Sequence, residues 1–182
     1  MNRLIGVTMV VLVAAMGVVA GCDREKNTST GGTSTPAPAA TAQLPEGVLL
    51  KEAPGGAKGI AEIKKSAKPG DEVVLVGKVG GRVDPISKDR ALLTVMDTSV
   101  TSCDKMPGDN CKTPWDYCCE DRDSLVANSA TVQVVDAEGK PIKGGLEGVG
   151  GIKPLSEVVV KGKVQQADGK VLVVNATGVF VR

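Results

Sequence analysis

The sequence predicts an all-β domain: a small closed sheet of five strands with a short N-terminal helix and a cysteine-rich insertion. Three observations predict it. The chain has only three aromatic residues, Trp115, Tyr117 and Phe180, and valine takes their place, with 22 downstream of residue 21. β-Branched residues fit the pleated, half-buried surface of a strand. Five short apolar runs, at 72–83, 91–97, 130–136, 157–165 and 170–181, are separated by turns rich in Gly, Asp and Pro. Two of these runs also share one pattern. Residues 72–79 (EVVLVGKV) match residues 157–164 (EVVVKGKV), each with alternate positions apolar, apolar, Gly, Val. Glycine inside a strand marks a bulge or a tight bend, which a small closed sheet needs.

The elements follow in chain order. Arg3 is the only charge before residue 22, and residues 4–21 form an uncharged apolar run. A basic head, an apolar stretch and small residues before a cut site read as a secretory signal. The run ends in Val19-Ala20-Gly21-Cys22, which resembles the lipobox of bacterial lipoproteins. That resemblance implies cleavage before Cys22, a diacylglyceryl group on its thiol, and an exported domain tied to the cell membrane or outer membrane. The competing reading is an uncleaved membrane helix. It is weakened by Gly6, Gly17 and Gly21 and by a length at the lower limit for spanning a bilayer.

Residues 22–43 read as a tether. The stretch 23–43 holds seven Ser/Thr and no large apolar residue, so it cannot bury enough surface to offset its ordering entropy. As a coil it spans on the order of 25 Å. The globular part is expected over 44–182. Within 57–68, Ile60, Ile63 and Ala67 have helical spacing, and Pro69-Gly70 stops the helix. The stretch 141–154 contains five glycines and is expected to be a loop or a single turn.

The two glycine strands and the strand count resemble the OB fold, a five-stranded Greek-key barrel. The resemblance covers about residues 70–182 and departs from the family where the helix before the fourth strand should lie. It carries a nucleic-acid association as an alternative function. Apart from Phe180 near the terminus, the strands offer neither the aromatic stacking platforms nor the basic groove that such binding uses, so nucleic acid is disfavoured.

The insertion at 98–128 holds Cys103, Cys111, Cys118 and Cys119, together with Trp115 and Tyr117. Its core, Cys111-Lys112-Thr113-Pro114-Trp115-Asp116-Tyr117-Cys118-Cys119, resembles one found in uncharacterised exported proteins of planctomycete-type bacteria, which implies a compartment and no activity. In an oxidising compartment four cysteines suggest two disulfides. A bond between neighbours is strained, so Cys118 and Cys119 are each expected to pair with one of Cys103 and Cys111, in an order the sequence leaves open. Tetrahedral metal ligation is the sharper alternative, but gaps of seven, six and zero residues depart from the usual paired spacing. A redox role is the third reading, without a Cys-x-x-Cys to support it. Trp115 and Tyr117 are candidates for a binding surface.

The composition also excludes chemistry. There is no histidine, so the commonest general base and metal ligand is missing. Gly-Lys pairs at 77–78, 139–140, 162–163 and 169–170 never precede Ser or Thr, so no P-loop exists, and there is no Gly-x-Ser-x-Gly. The acidic run Glu120, Asp121, Asp123 reads as a helix start with Asp123 or Ser124 as cap. The expectation is therefore a non-enzymatic, cofactor-free binding or structural module of the cell envelope, held to the membrane through Cys22. Its partner would be an envelope protein or a glycan. The alternatives are a nucleic-acid binder and a metal or redox protein using the four cysteines.

Overall fold

A computed structural model describes residues 40–108 and 110–182. The expected leader, Cys22 and nearly all of the expected tether lie outside the described residues. No helix among the described residues is long and apolar enough to cross a membrane.

Among the described residues six strands and two helices follow one another: β1 (Lys58–Gly59), α1 (Ile60–Lys64), β2 (Glu72–Val79), β3 (Leu92–Met96), α2 (Arg122–Asn128), β4 (Ser129–Gln133), β5 (Glu157–Ala167) and β6 (Leu172–Val181). The sheet runs β1-β2-β3-β4-β6-β5, and β5 returns to pair with β2. The last five strands therefore close into a barrel, with β4 and β6 parallel and the other pairs antiparallel. All five expected runs are strands. The sixth, β1, is only two residues long and carries no pattern that sequence could reveal. It lies parallel to β2 opposite Leu75 and Val76, directly beside the point where β3 takes over at Lys78 and Val79.

The two matching glycine strands are hydrogen-bonded to each other. Gly77 faces Val158 and Gly162 faces Val73. Their inward positions are Leu75, Gly77 and Val79 on β2, and Val158, Val160, Gly162 and Val164 on β5. Both glycines are dictated by close approach. A Cβ on Gly77 would lie 2.7 Å from the Met96 carbonyl oxygen, and one on Gly162 would lie 2.4 Å from that of Asn175. The register of β5 against β6 slips at Lys161/Gly162, which is the bend that the glycine pattern anticipates.

The core fills the barrel with branched aliphatics such as Leu75, Leu93, Val132, Val160 and Val174, closed at one end by Ile60 and Ile63 of α1. Lys64, the next residue of that helix, is also buried. Its ammonium donates to the carbonyls of Val126 in α2 and of Lys170 in the β5–β6 turn, tying three elements together. Burial lowers its pKa, and Asp168 pulls it partly back.

Several local expectations are refined. Ala42 is already buried, and its N–H donates to Gly145 O at 2.9 Å, so packing begins before residue 44. The glycine-rich stretch 141–154 contains one 3-10 turn, Val149–Gly151. The cap of α2 is Asp121, not Asp123 or Ser124. Its carboxylate accepts the Ser124 N–H at 2.8 Å, because a capping side chain reaches the amide two or three positions ahead. The Ser124 hydroxyl instead donates to Glu120.

Candidate metal centre

The insertion leaves the barrel after β3 and returns through α2 to β4. Its middle is strapped onto the chain just beyond β2. Gly81 N donates to Trp115 O at 2.8 Å, and the Trp115 indole N–H donates to Val83 O at 2.8 Å. Tyr117 is fully buried, and its ring lies against Gly80, where a Cβ would sit 2.9 Å from Cε2. Tyr117 thus joins loop to barrel, and the expectation that it presents a binding surface is corrected by its burial. Trp115 is half-buried with its N–H already spent on Val83. Burial pushes the Tyr117 hydroxyl up to about 12. That hydroxyl and the one on Ser102 find no hydrogen-bond partner among the described residues.

Tyr117 takes a left-handed backbone, φ 58°. A non-glycine residue there is strained, and the burial of its ring holds it. The reversal turns the chain between Asp116 and Cys118 so that both point to one focus. The Asp116 N–H donates to Thr113 O in a tight turn, and Cys103 N donates to Pro114 O, which brings the 3-10 turn Cys103–Lys105 against the same segment.

At the focus lie the sulfurs of Cys103, Cys111 and Cys118 and a carboxylate oxygen of Asp116, one atom from each, all within 4.8 Å of one another. Cys118 Sγ is 3.4 Å from Cys111 Sγ and 3.9 Å from Cys103 Sγ. A zinc ion bound at about 2.3 Å by thiolates spaces its sulfurs about 3.8 Å apart, so these separations bracket a tetrahedral edge. The carboxylate is fixed in place: Asp116 Oδ2 accepts from the Thr113 hydroxyl at 2.7 Å, and Oδ1 accepts from Cys118 N at 2.9 Å. Such outer hydrogen bonds orient a metal's ligands. The Cys118 thiol is held above the ordinary thiol range, first by its contact with Cys111 and next by that with Cys103.

Of the sequence candidates, the structure brings together Cys103, Cys111 and Cys118 and leaves Cys119 outside the four-atom cluster. Asp116 was not singled out in the sequence. Its signal is the Thr113-x-x-Asp116-x-Cys118 spacing, in which one carboxylate accepts from both Thr113 and Cys118. Cys103 is buried, whereas Cys118 is exposed, so an ion here would have one face toward solvent.

Comparisons of the chain with protein-family models, with curated proteins and with solved structures find no match. What fold and site define is a class: a small closed mixed β-barrel with a cysteine/aspartate cluster capable of coordinating a metal.

Proposed function

We propose that this chain is a membrane-anchored, non-catalytic module of the cell envelope, an OB-like barrel whose insertion is stapled by one thiophilic divalent cation of the zinc class. Cys103, Cys111, Cys118 and Asp116 are its ligands. The single observation that carries the reading is the convergence of three sulfurs and one oriented carboxylate within 4.8 Å. The order of the five strands that close the barrel, with β4–β6 as their one parallel pair, is like that of an OB barrel and supports that part. The lipobox at Val19–Cys22 supports the anchor and the exported compartment.

The staple has a physical purpose. Apart from Tyr117 and Cys103 the insertion is largely polar, and α2 has no buried residue. Long loops of this kind need a constraint to hold a single conformation, and a structural metal supplies folding free energy directly. Four ligands from one protein segment close the coordination shell, which suits a structural rather than a catalytic ion.

The test is metal analysis of the purified full chain together with its intact mass under non-reducing conditions. The expected result is about one equivalent of zinc per chain, and a cobalt-substituted form with thiolate-to-cobalt charge-transfer bands of tetrahedral type. A metal-free protein whose mass corresponds to two disulfides would overturn the metal reading.

A further inference from the structure

The cations of the barrel are not evenly spread. Lys88, Arg90, Lys140 and Lys143 are exposed and line one open cleft of about 860 Å³ with half-buried Pro141 and Ile142 at its base. None of the four is in an ion pair among the described residues. Arg90 and Lys143 are bridge partners on adjacent antiparallel segments. Like charges placed directly opposite destabilise a strand pair. The two segments are nevertheless locked together, with Ala91 N donating to Ile142 O at 2.7 Å and Gly144 N donating to Asp89 O at 2.8 Å.

Two carboxylates share the cleft, and both are engaged elsewhere. Asp89 accepts from the Ser87 hydroxyl at 2.8 Å, and Asp136 accepts from the amides of Glu138 and Lys140 in its own turn. Counting them against the four cations leaves an excess of two positive charges at the cleft. A cluster of four cations, whose repulsion is only partly offset by Asp89 beside Arg90, fits an anionic surface.

The position of the cleft selects the surface. Ala40, the first described residue, lines it, and its carbonyl accepts from Gly145 N. The segment that leads back to Cys22 therefore leaves the domain at this cleft, and only 17 residues separate Ala40 from Cys22. The cleft has no aromatic side chain on which a base could stack, which disfavours single-stranded nucleic acid. Each Lys or Arg near an anionic leaflet multiplies surface partition by roughly fivefold, and a tether of this length holds the domain within reach of the leaflet, so that weak attraction suffices.

We infer that this cleft docks the barrel on the phosphate headgroups of an anionic membrane, orienting the domain with its tether side down. The inference takes only the membrane anchor from the reading above and is independent of the metal.

Lysine footprinting on vesicles tests it. The full chain is floated with phosphatidylcholine vesicles, with and without phosphatidylglycerol, and labelled with an amine-reactive reagent. Exposed Lys51 and Lys65 serve as internal standards. Lys88, Lys140 and Lys143 are expected to react about 5- to 10-fold more slowly on the phosphatidylglycerol vesicles only. High salt should remove the difference, and Arg90→Gln, which keeps the three reporter lysines, should reduce it about fivefold. Flotation with both vesicle types without selective protection overturns the docking and leaves the anchor standing. Failure to float with neutral vesicles overturns the anchor alone, and the phosphatidylglycerol arm still reads the cleft. Protection by a single-stranded oligonucleotide, without protection by anionic vesicles, assigns the cleft to nucleic acid and overturns the proposal.

Discussion

Asp97, the residue after β3, caps α1 from thirty-six positions away: its Oδ2 accepts the Ala61 N–H at 2.9 Å while Oδ1 accepts the Ser99 N–H. The local N-cap, Gly59, has no side chain to offer. Burial alone would raise the Asp97 pKa, but the amides of Ser99, Ala61 and Ile60 outweigh it and the net shift is downward. A carboxylate with a depressed folded-state pKa stabilises the fold above its unfolded value, near 3.9, and loses that contribution as pH falls through the folded value. Asp97→Asn should therefore cost about 1–3 kcal/mol at neutral pH by leaving an amide without its acceptor. The gap between variant and wild type should narrow below about pH 4. Urea unfolding at both pH values measures it, and an unchanged gap would refute the charge argument.

The seam between β5 and β6 makes a sharper prediction. Gly162→Ala pushes a methyl against the Asn175 carbonyl, and overpacking of this kind costs about 1–3 kcal/mol. Lys161→Ala, one residue earlier on the exposed face of the same strand, should stay within about 0.5 kcal/mol of wild type. Thermal unfolding of the pair isolates the glycine's role from strand propensity.

Tyr117 is the only tyrosine in the chain, so its ionisation can be followed optically without overlap. With its hydroxyl pushed up to about 12 by burial, no tyrosinate absorbance should develop at pH 10, where half of an exposed tyrosine is ionised. Tyr117→Phe removes a hydroxyl without a partner and should leave stability unchanged or slightly higher. Tyr117→Ala should cost about 3–5 kcal/mol and free the loop from the barrel.

Single substitutions separate the proposed ligands from their neighbour. Cys103→Ser and Asp116→Ala should each lower metal content and affinity, whereas Cys119→Ser, outside the four-atom cluster, should keep full stoichiometry. Chelation of the wild type should raise hydrogen exchange across 102–119 and leave β2, β5 and β6 protected, since the barrel core is aliphatic. Equal metal loss in all the variants would sink the assignment of ligands.

The barrel was legible because its signal is local and repeated. Valine alternation and the Gly77/Gly162 pattern are physical requirements of tightly bent strands, so they are written at fixed positions. The centre was only half legible. Four cysteines in one insertion pointed to it, but the gaps between them argued against a metal, because the spacing rule assumes short ligand hairpins. Here the turn at Thr113–Asp116 and the reversed backbone of Tyr117 bring three distant sulfurs and a carboxylate to one focus, a cluster capable of coordinating a metal. Asp97 and β1 were invisible for a related reason. A cap supplied from thirty-six residues away and a two-residue strand leave no periodic trace.

That two-residue strand has a further consequence. β3 covers β2 only at Lys78 and Val79, and β1 takes the adjoining stretch at Leu75 and Val76, so the barrel wall has little exposed backbone to offer another chain. Copies crowded together on one surface would otherwise tend to stitch edge to edge into fibres. A two-residue patch at this gap leaves less open edge at which such pairing could begin.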